Sequence, residues 1–227
     1  MFVLGVPSLP AEGMAALPAA LARPLAGRIT LQRKALDVRR DGNRYVVSDG
    51  ADTVRADRVV VAADPVTAAG LAGLAEPVMH GVVTDWWATD EPQTGPAMRW
   101  VDGRPANPGP VLNTAVISAA APTYAPPGRH LIAASALKGP DGTAPDETTT
   151  RRHAAAILGA EASGWDLLIR HDIPHALPAQ LPPLSVRRPV RIQDGLWVCG
   201  DHRDTASIQG ALVSGRRAAE AVLADAG

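Results

Sequence analysis

The sequence predicts an α/β fold of mixed α+β character, and three observations support this prediction. Residues 59–63 form a continuous apolar run, which is typical of a strand in a parallel sheet. Residues 195–199 form a second short apolar strand that ends in Gly200 and Asp201, and an amphipathic helix over residues 207–223 follows it. Between these two regions, Gly and Pro turns separate several short apolar segments, which indicates an antiparallel sheet.

The C-terminal helix is the stretch that points most directly to a ligand. Its apolar positions predict one buried face made of Ile208, Ala211, Leu212, Gly215, Ala219, Val222 and Leu223. Gly210 and Gly215 each cost a helix about 1 kcal/mol relative to alanine, so we expect a close neighbour at these positions. In an open α/β sheet, a helix that starts directly after a strand is a common ligand site, because its free N–H groups and positive dipole end point outward.

The composition indicates a globular protein and excludes several classes of partner. The chain has 227 residues, of which 46% are hydrophobic, so it is long enough for one large domain or two small ones. Its net charge of -1 gives no reason to expect nucleic acid or a membrane surface as a partner. We expect no membrane span, since no apolar run is long enough to cross a bilayer. We also expect no signal peptide, since the first seven residues carry no positive charge. With Cys199 as its one cysteine, the chain is expected in the cytoplasm.

The first part of the chain predicts a helix followed by a β-meander. Residues 15–22 favour a helix that has Pro18 in its first turn. The predicted strands are residues 29–31 together with 35–38, then 45–47, 53–56 and 58–63. Asp-Gly pairs at residues 41–42 and 49–50 are typical hairpin turns between them. We expect the last of these strands to be buried on both faces of a sheet.

The middle of the chain predicts a short helix and then an antiparallel sheet. The predicted elements are a helix over residues 65–77 and strands over 79–88, 97–101, 111–118 and 130–137. A further helix is expected over residues 146–159, with Asp146 as its N-cap and Gly159 at its C-terminus. We expect Trp86, Trp87 and Trp100 to be core side chains of this sheet, which also offers a face to a substrate.

The C-terminal strand, turn and helix resemble the last FAD-binding motif of the flavoprotein superfamily that contains amine oxidases, protoporphyrinogen oxidases and phytoene desaturases. In that motif a strand ends in Gly-Asp and leads to a helix of the form S-x-x-G-A-x-x-S-G-x-x-A-A, which residues 207–219 match without a gap. Residues 11–22 are similar to the family's G-G-M-x-x-L-P-x-x-L-A segment, and residues 28–65 to its FAD-contacting β-meander. Residues 175–178 are similar to an A-L-P stretch that lines the cavity over the flavin in the family.

The resemblance implies FAD as the cofactor and a set of contacts to it. The implied cofactor-binding residues are Ala35, Gly200, Asp201, Ser207, Ile208, Gln209 and Gly210. Asp201 would hydrogen-bond the ribityl chain or a nearby phosphate, and the main chain of Ala35 would contact the adenine. The N–H groups of Ile208 and Gln209 would face the N1–O2 edge of the flavin, where a helix N-terminus stabilises negative charge by about 0.3–2 kcal/mol.

The family's N-terminal G-x-G-x-x-G fingerprint, which places a helix on the FAD pyrophosphate, does not occur in the sequence. We therefore expect the chain to correspond to the C-terminal portion of such an enzyme. The predicted FAD-binding domain comprises residues 1–77 and 190–227, as a partial Rossmann-like domain without its first βαβ unit. The predicted substrate-binding domain comprises residues 78–189. Because the incomplete sheet would expose an apolar edge, we expect a partner chain that carries the βαβ unit, a homodimer or poor solubility.

The resulting hypothesis is an FAD-dependent oxidoreductase, or its C-terminal subunit or fragment, that oxidises or desaturates a small organic substrate. The alternative is a non-catalytic remnant or interaction module that keeps the fold without binding FAD. Two departures weigh against amine oxidation in the strict sense. Ser207 stands where amine oxidases have an aromatic residue, and no lysine lies near His80 and Gly81 in the sequence. No catalytic residue and no metal site is predicted.

Overall fold

The computed structural model describes residues 8–91, 93, 95–104 and 109–225. In chain order the elements are α1 (Ala16–Ala22), β1 (Asp37–Asp41), β2 (Arg44–Ser48), β3 (Thr53–Ala56), β4 (Val59–Val61), α2 (Pro65–Ala72), β5 (Met79–Thr89), β6 (Arg99–Trp100), β7 (Val111–Val116), α3 (Ile117–Ala120), β8 (His130–Leu137), α4 (Glu147–Leu158), β9 (Asp166–Pro178), β10 (Arg191–Gln193), β11 (Leu196–Val198) and α5 (Ile208–Ala224). The mixed α/β class is therefore confirmed. In the part of the chain that the structure describes, no helix is both long and apolar enough to cross a membrane.

The chain divides into two compact units. Unit 1 combines Met1–Ile29 with Gly81–Ala176, and unit 2 combines Thr30–His80 with Leu177–Gly227. The boundaries fall inside β5 and β9; the one in β5 lies close to the limit expected at residue 77, whereas the one in β9 lies well before residue 189, and Met1–Ile29 groups with unit 1 rather than with the rest of residues 1–77. The assignment of an FAD-binding and a substrate-binding domain to these regions stays a prediction.

The β-meander of unit 2 forms as predicted from residue 37 onward. Strands β1, β2 and β3 pair antiparallel in that order. The expectation of strand at residues 29–31 and 35–36 is wrong, because Gln32 adopts a left-handed conformation (φ 59°) that interrupts an extended chain. Arg33 holds this irregular segment in place instead: its Nε donates to Asp49 at 2.6 Å and its Nη2 to Asp52 at 3.0 Å.

A second sheet in unit 2 has the order β10-β11-β4. Strand β11 runs parallel to β4, with Leu196 opposite Val59, which agrees with the parallel sheet expected for residues 59–63. Strand β10 pairs antiparallel with β11, so the sheet is mixed. The expectation that β4 is buried on both faces is wrong. Val61 is buried in the same core cluster as Ala68 of α2, whereas Val60, whose side chain points to the opposite face of the strand, is 42% exposed.

Helix α5 buries a different face from the one predicted. Its buried residues are Gly210, Ser214 and Ala218, whereas Ile208 and Leu212 of the predicted apolar face are exposed. The reason is the close approach of the helix to the end of β11, which only small side chains allow. Ile208, Leu212 and Leu223 are therefore exposed, whereas Val222 of the predicted face packs against the core around Trp197.

Unit 1 is built on a five-stranded antiparallel sheet in the order β6-β7-β8-β5-β9. Strands β5 and β8 match their predicted bounds, and they pair from Val82–Leu137 to Thr89–His130. The strand predicted over residues 111–118 ends earlier, because residues 117–120 form the short helix α3. The expected strand over residues 97–101 is reduced to the two residues of β6.

The core of unit 1 lies between this sheet and α4. Trp87 and Trp165 are buried with their ring centroids 5.6 Å apart, and Trp87 donates from Nε1 to Glu147 at 2.7 Å. Trp87 is thus a core residue as predicted. The caps of α4 are also confirmed: Asp146 accepts from the N–H of Thr149 at 2.9 Å, and Gly159 ends the helix at a φ of 65°.

A buried histidine on α4 holds the segment before β7. The Nδ1 atom of His153 accepts from the N–H of Val111 at 2.9 Å, so Nε2 carries the proton and donates to Asp102 at 2.8 Å. Arg104 also donates to Asp102, at 2.7 Å, and together with His153 it holds the pKa of this carboxyl far below its usual range. A Cβ atom on Gly109 would lie 2.5 Å from the ring of His153, so only glycine fits there.

We predict that Asp102→Asn lowers the stability of unit 1 at pH 7, because the amide loses the charge-assisted bonds to Arg104 and His153. The folded pKa of Asp102 is depressed, so its stabilisation is fully present above an unfolded pKa of about 4 and is lost as the pH falls toward the folded value. Urea unfolding at pH 7 and at pH 3 measures this difference. A gap between wild type and variant that does not shrink at the lower pH contradicts the assignment.

Candidate functional site

The candidate site of unit 2 is the junction between the end of β11 and the start of α5. Gly200 follows the strand at a φ of 152°, and its N–H donates to Ser214 Oγ at 2.9 Å. The same hydroxyl donates to the carbonyl oxygen of Gly200 at 2.7 Å. A Cβ atom on Gly200 would lie 2.6 Å from the imidazole of His202. The Gly-Asp turn is therefore held against α5 by hydrogen bonds between the Gly200 backbone and the Ser214 hydroxyl, and a side chain at position 200 has no room.

The first turn of α5 presents free N–H groups. Ser207 is the N-cap and accepts from the N–H of Gly210 at 3.1 Å. The N–H groups of Ile208 and Gln209 find no acceptor among the described residues. Since both residues are exposed, this end of the helix offers two donors and the positive end of its dipole. These are the donors that the resemblance assigns to the flavin.

Gly210 is required by a backbone contact. A Cβ atom at this position would lie 1.8 Å from the carbonyl oxygen of Thr205, whereas a Cβ atom on Gly215 would meet nothing within 4 Å. A close backbone neighbour therefore exists at Gly210, whereas no described atom of the chain lies close to Gly215. The 205–210 segment folds back tightly at the helix start, which fixes where the N–H groups of the first turn point.

Asp201 lies beside a cavity within unit 2. The cavity has a volume of about 220 Å³, and Pro178, Leu181 and Val186 line it together with Asp201 and other residues of the turn. The side chain of Asp201 is partly exposed, and its Oδ1 lies 3.8 Å from His202 Nδ1. A carboxylate that is open on one side can accept hydrogen bonds from hydroxyl groups of a ligand.

Ala35 lies elsewhere in unit 2. It is half-buried, and it precedes Leu36, whose N–H donates to the carbonyl oxygen of Ser48 at 2.8 Å. In the described chain no hydrogen bond connects Ala35 with the segment at 200–210. The structure thus brings the other predicted site residues together at one junction, while Ala35 remains a separate prediction on the meander segment.

Two residues that directly follow Asp201 are not among the predicted site residues. The ring nitrogens of His202 are buried, and burial and then the charge of Arg203 lower the pKa of His202, which keeps the ring neutral. Arg203 is itself buried. The only sequence signal was an unbroken run of charged and polar residues, Asp201 to Asp204, between an apolar strand and a helix. A third residue, Arg188, lines the cavity and comes from a Pro-rich segment that carries no such signal.

A lysine also lies next to Gly81 in space, although none is near it in the sequence. The N–H of Lys138, the residue directly after β8, donates to the carbonyl oxygen of Gly81 at 2.9 Å. Its side chain crosses Gly81 so closely that a Cβ atom there would lie 2.7 Å from Lys138 Cδ, and its Nζ donates to Asp172 at 2.7 Å. No lysine lies near Gly81 in the sequence, but the fold brings Lys138 beside it.

The sequence matches the family described as flavin containing amine oxidoreductase over residues 4–223. The chain belongs to this family. No curated protein is recognisably similar to it in sequence. The family match spans both units, so the meander, the antiparallel sheet and the junction of β11 with α5 all belong to the matched region.

Solved structures show the same fold. A protein assigned as a protoporphyrinogen oxidase from Exiguobacterium sp. 255-15 superposes with a TM-score of 0.73 at 19% identity, over 93% of this chain and 51% of that chain. A reduced UDP-galactopyranose mutase gives 0.73 at 13% identity, over 93% and 52%. A putrescine oxidase bound to putrescine gives 0.66 at 16% identity, over 94% and 53%. This chain therefore spans about half the length of these relatives.

The two glycines of α5 provide a matched test of the junction. We predict that Gly210→Ala destabilises the protein by about 1–3 kcal/mol, because the added Cβ forces the Thr205 carbonyl away from the helix start. Gly215→Ala should stabilise it by about 0.5–1 kcal/mol, because helical alanine has less entropy to lose. Urea unfolding of both variants decides this. Equal effects of the two substitutions would show that the 205–210 fold-back is absent in solution.

Proposed function

We propose that this chain forms the C-terminal half of the FAD site of an FAD-dependent oxidoreductase that oxidises or desaturates a small organic substrate. The observation that carries the proposal is the junction of β11 and α5, where the Gly-Asp turn and the free N–H groups of the first helical turn lie side by side. The family match supports a flavin as the cofactor. The chain spans about half of its structural relatives, so the rest of the site would come from a longer polypeptide or a partner chain.

The residues at the junction fit an FAD group. Positions 200 and 210 have no space for a Cβ atom, because His202 and the Thr205 carbonyl occupy it, so the turn and the helix start have a fixed conformation to offer to a ligand. The N–H groups of Ile208 and Gln209 have no acceptor in the described part of the chain. Both are therefore free to donate to the N1–O2 edge of a flavin. The ring nitrogens of His202 are buried without partners from the described residues. Such polar atoms are stabilised when a ligand provides the missing partner.

Each side chain of the junction would have a simple role. FAD supplies the electron acceptor when it is bound, while the protein orients it and adjusts its surroundings. Asp201 accepts hydrogen bonds from hydroxyl groups of the ribityl chain. The N–H groups of Ile208 and Gln209, with the helix dipole behind them, stabilise negative charge near O2. Ser207 holds the helix start through its cap to Gly210 and leaves the flavin face free of an aromatic ring.

We further propose that unit 1 is the substrate-binding domain and that amine oxidation is not the reaction in the strict sense. The serine at position 207 supports the latter, since amine oxidases carry an aromatic residue there. Lys138 lies over Gly81 from a neighbouring strand, but it is engaged in an ion pair with Asp172. Its ammonium is therefore held by a carboxylate of its own unit. A cytoplasmic location remains a prediction.

The exposed surface of unit 2 supports a missing βαβ unit. Strand β4 offers a free edge, and Val60 on it is 42% exposed. The apolar side chains of Ile208, Leu212 and Leu223 on α5 are exposed as well. A parallel strand added beside β4 would remove this edge from water, which is the usual fate of an apolar strand in a parallel sheet. The alternative function, a remnant or interaction module without FAD, is favoured by the absence of G-x-G-x-x-G from the sequence.

We predict that Asp201→Ala weakens FAD binding by the assembled enzyme about ten- to a hundredfold, the loss expected for about 1.5–3 kcal/mol of charge-assisted hydrogen bonding. Asp194→Ala is the control, because this carboxylate of unit 2 is exposed and pairs only with Arg191 among the described residues. Flavin fluorescence titration gives the Kd of each protein. Equal affinity of the Asp201 and Asp194 variants would remove the assignment of Asp201.

We also predict that the chain binds FAD only together with a chain, or an N-terminal segment, that carries a G-x-G-x-x-G βαβ unit. Val60→Lys should abolish co-purification with that partner, whereas Val54→Lys, at a valine of β3 that is 58% exposed, should not. Gel filtration with flavin absorbance measures both complex and cofactor. A protein that stays colourless with FAD and every such partner supports the remnant instead. Equal effects of the two substitutions would show that β4 is not the docking edge.

A further inference from the structure

The longest described strand, β9, lies at the edge of the sheet of unit 1. It pairs with β5 on one side, and the described chain provides no strand on its other side. The opposite edge of the same sheet is the two-residue strand β6, which offers almost no unpaired backbone. A long free edge presents a row of N–H and C=O groups to which another strand can add, so proteins usually protect such an edge.

The backbone groups that face outward from β9 can be assigned from its proline. A Cβ atom on Gly81 of β5 would lie 3.1 Å from the carbonyl oxygen of Pro174, so this carbonyl points toward β5. Because backbone groups alternate in direction along a strand, the missing N–H of the proline falls on the paired side. The outer edge then has donors and acceptors at Leu167, Ile169, His171, Ile173 and His175.

The side chains along this edge are apolar and exposed. Ile169 and Ile173 are 48% and 46% exposed, and the neighbours Leu167 and Leu168, one on each face of the strand, are 46% and 57% exposed. Apolar side chains on both faces are typical of a strand in the interior of a sheet, whereas edge strands usually carry charges that keep other strands away. Strand β9 therefore has the composition of a strand with a neighbour on each side.

The two central charges of β9 are held within their own unit. Arg170 Nη1 donates to Asp85 Oδ2 at 3.3 Å, and Lys138 Nζ donates to Asp172 Oδ1 at 2.7 Å. Neither charge is therefore a free side chain that would repel an added strand. Their order along the strand still decides which strand fits, because like charges directly opposite each other destabilise a sheet.

The charge order of β9 is complementary to its own reverse. When two copies of β9 pair antiparallel around His171, Arg170 of each copy lies opposite Asp172 of the other, and Ile169 lies opposite Ile173. A shift by two residues in either direction, which is the smallest that keeps the same face of both sheets together, places Arg170 opposite Arg170 or Asp172 opposite Asp172. In the register centred on His171, the outward-facing residues of the two copies also lie opposite each other and can form the ladder of hydrogen bonds.

We propose that β9 is a self-association edge, at which two copies of this chain pair antiparallel around His171 and join their sheets. The partner is a second copy, because the sequence of β9 matches apolar residues with apolar residues and opposite charges with each other in this one arrangement. The interface goes beyond the proposed function, since it involves neither the flavin nor the edge of β4.

Light scattering of the flavin-free chain measures the association. We expect a dimer for the wild type and a monomer for Ile173→Lys, because each added lysine would lie opposite Ile169 of the other copy. Leu112→Lys should remain a dimer and is the control, since this residue of β7 is similarly exposed, at 48%, and β7 is not adjacent to β9. A monomeric wild type would overturn the proposal, as would a dimer that persists in Ile173→Lys or is lost only in Val60→Lys.

Disulfide formation tests the register. In the proposed pairing the two His171 Cα atoms lie about 5.5 Å apart, within the span of a disulfide, whereas the two Ile173 Cα atoms lie about 14 Å apart. We expect His171→Cys to form a covalent dimer under mild oxidation at least about tenfold faster than Ile173→Cys. The native Cys199 is buried and should contribute no background. Equal rates for the two variants, or an assembly in which β9 pairs with a strand of a different polypeptide and His171→Cys does not cross-link, would overturn the proposal.

Discussion

The candidate site depends on one buried hydroxyl. Ser214 is fully buried, and its Oγ bonds both the N–H and the carbonyl oxygen of Gly200. A buried polar group that loses its partner costs about 1–3 kcal/mol, so this contact holds α5 against the end of β11 at one fixed position along the helix. That position decides where the N–H groups of Ile208 and Gln209 lie relative to Asp201. A serine on the inner face of a helix is thus the means by which a strand end and a helix start form one site.

The same contact explains why the sequence was misleading about the buried and exposed faces of α5. Helical spacing marks Ile208 and Leu212 as an apolar face, and in a helix that packs only by hydrophobicity they would be buried. The bond between Ser214 and Gly200 requires backbone-to-backbone approach, so the face with Gly210 and Ala218 turns inward instead. Periodicity measures which side of a helix is apolar. It does not measure how closely a neighbour approaches, which in this helix decides the outcome.

Much of the fold could be predicted because its signals are local. Asp146 and Gly159 bound α4 as cap chemistry requires, and the parallel pairing of β4 with β11 follows from two short apolar runs. The site motif was predictable for the same reason, since it is contiguous in sequence. The environment of Arg203 and the position of Lys138 over Gly81 were not predictable, because each depends on a residue that is distant in the chain. No spacing rule connects Arg188 to Arg203 or Gly81 to Lys138.

Two features of unit 2 have no partner among the described residues, and they differ in the kind of group that could pair with them. The exposed edge of β4 and the outer face of α5 are apolar, and any apolar surface of suitable shape satisfies them, whether from a longer chain, a partner or a second copy. The buried guanidinium of Arg203 differs in kind, since burial and then repulsion by Arg188 lower its pKa and two of its nitrogens have no acceptor among the described residues. Hydrophobic burial is non-directional, so the apolar surfaces reveal little about the chemistry of what covers them. A buried charge is specific at least in sign, because only a group of opposite charge compensates it.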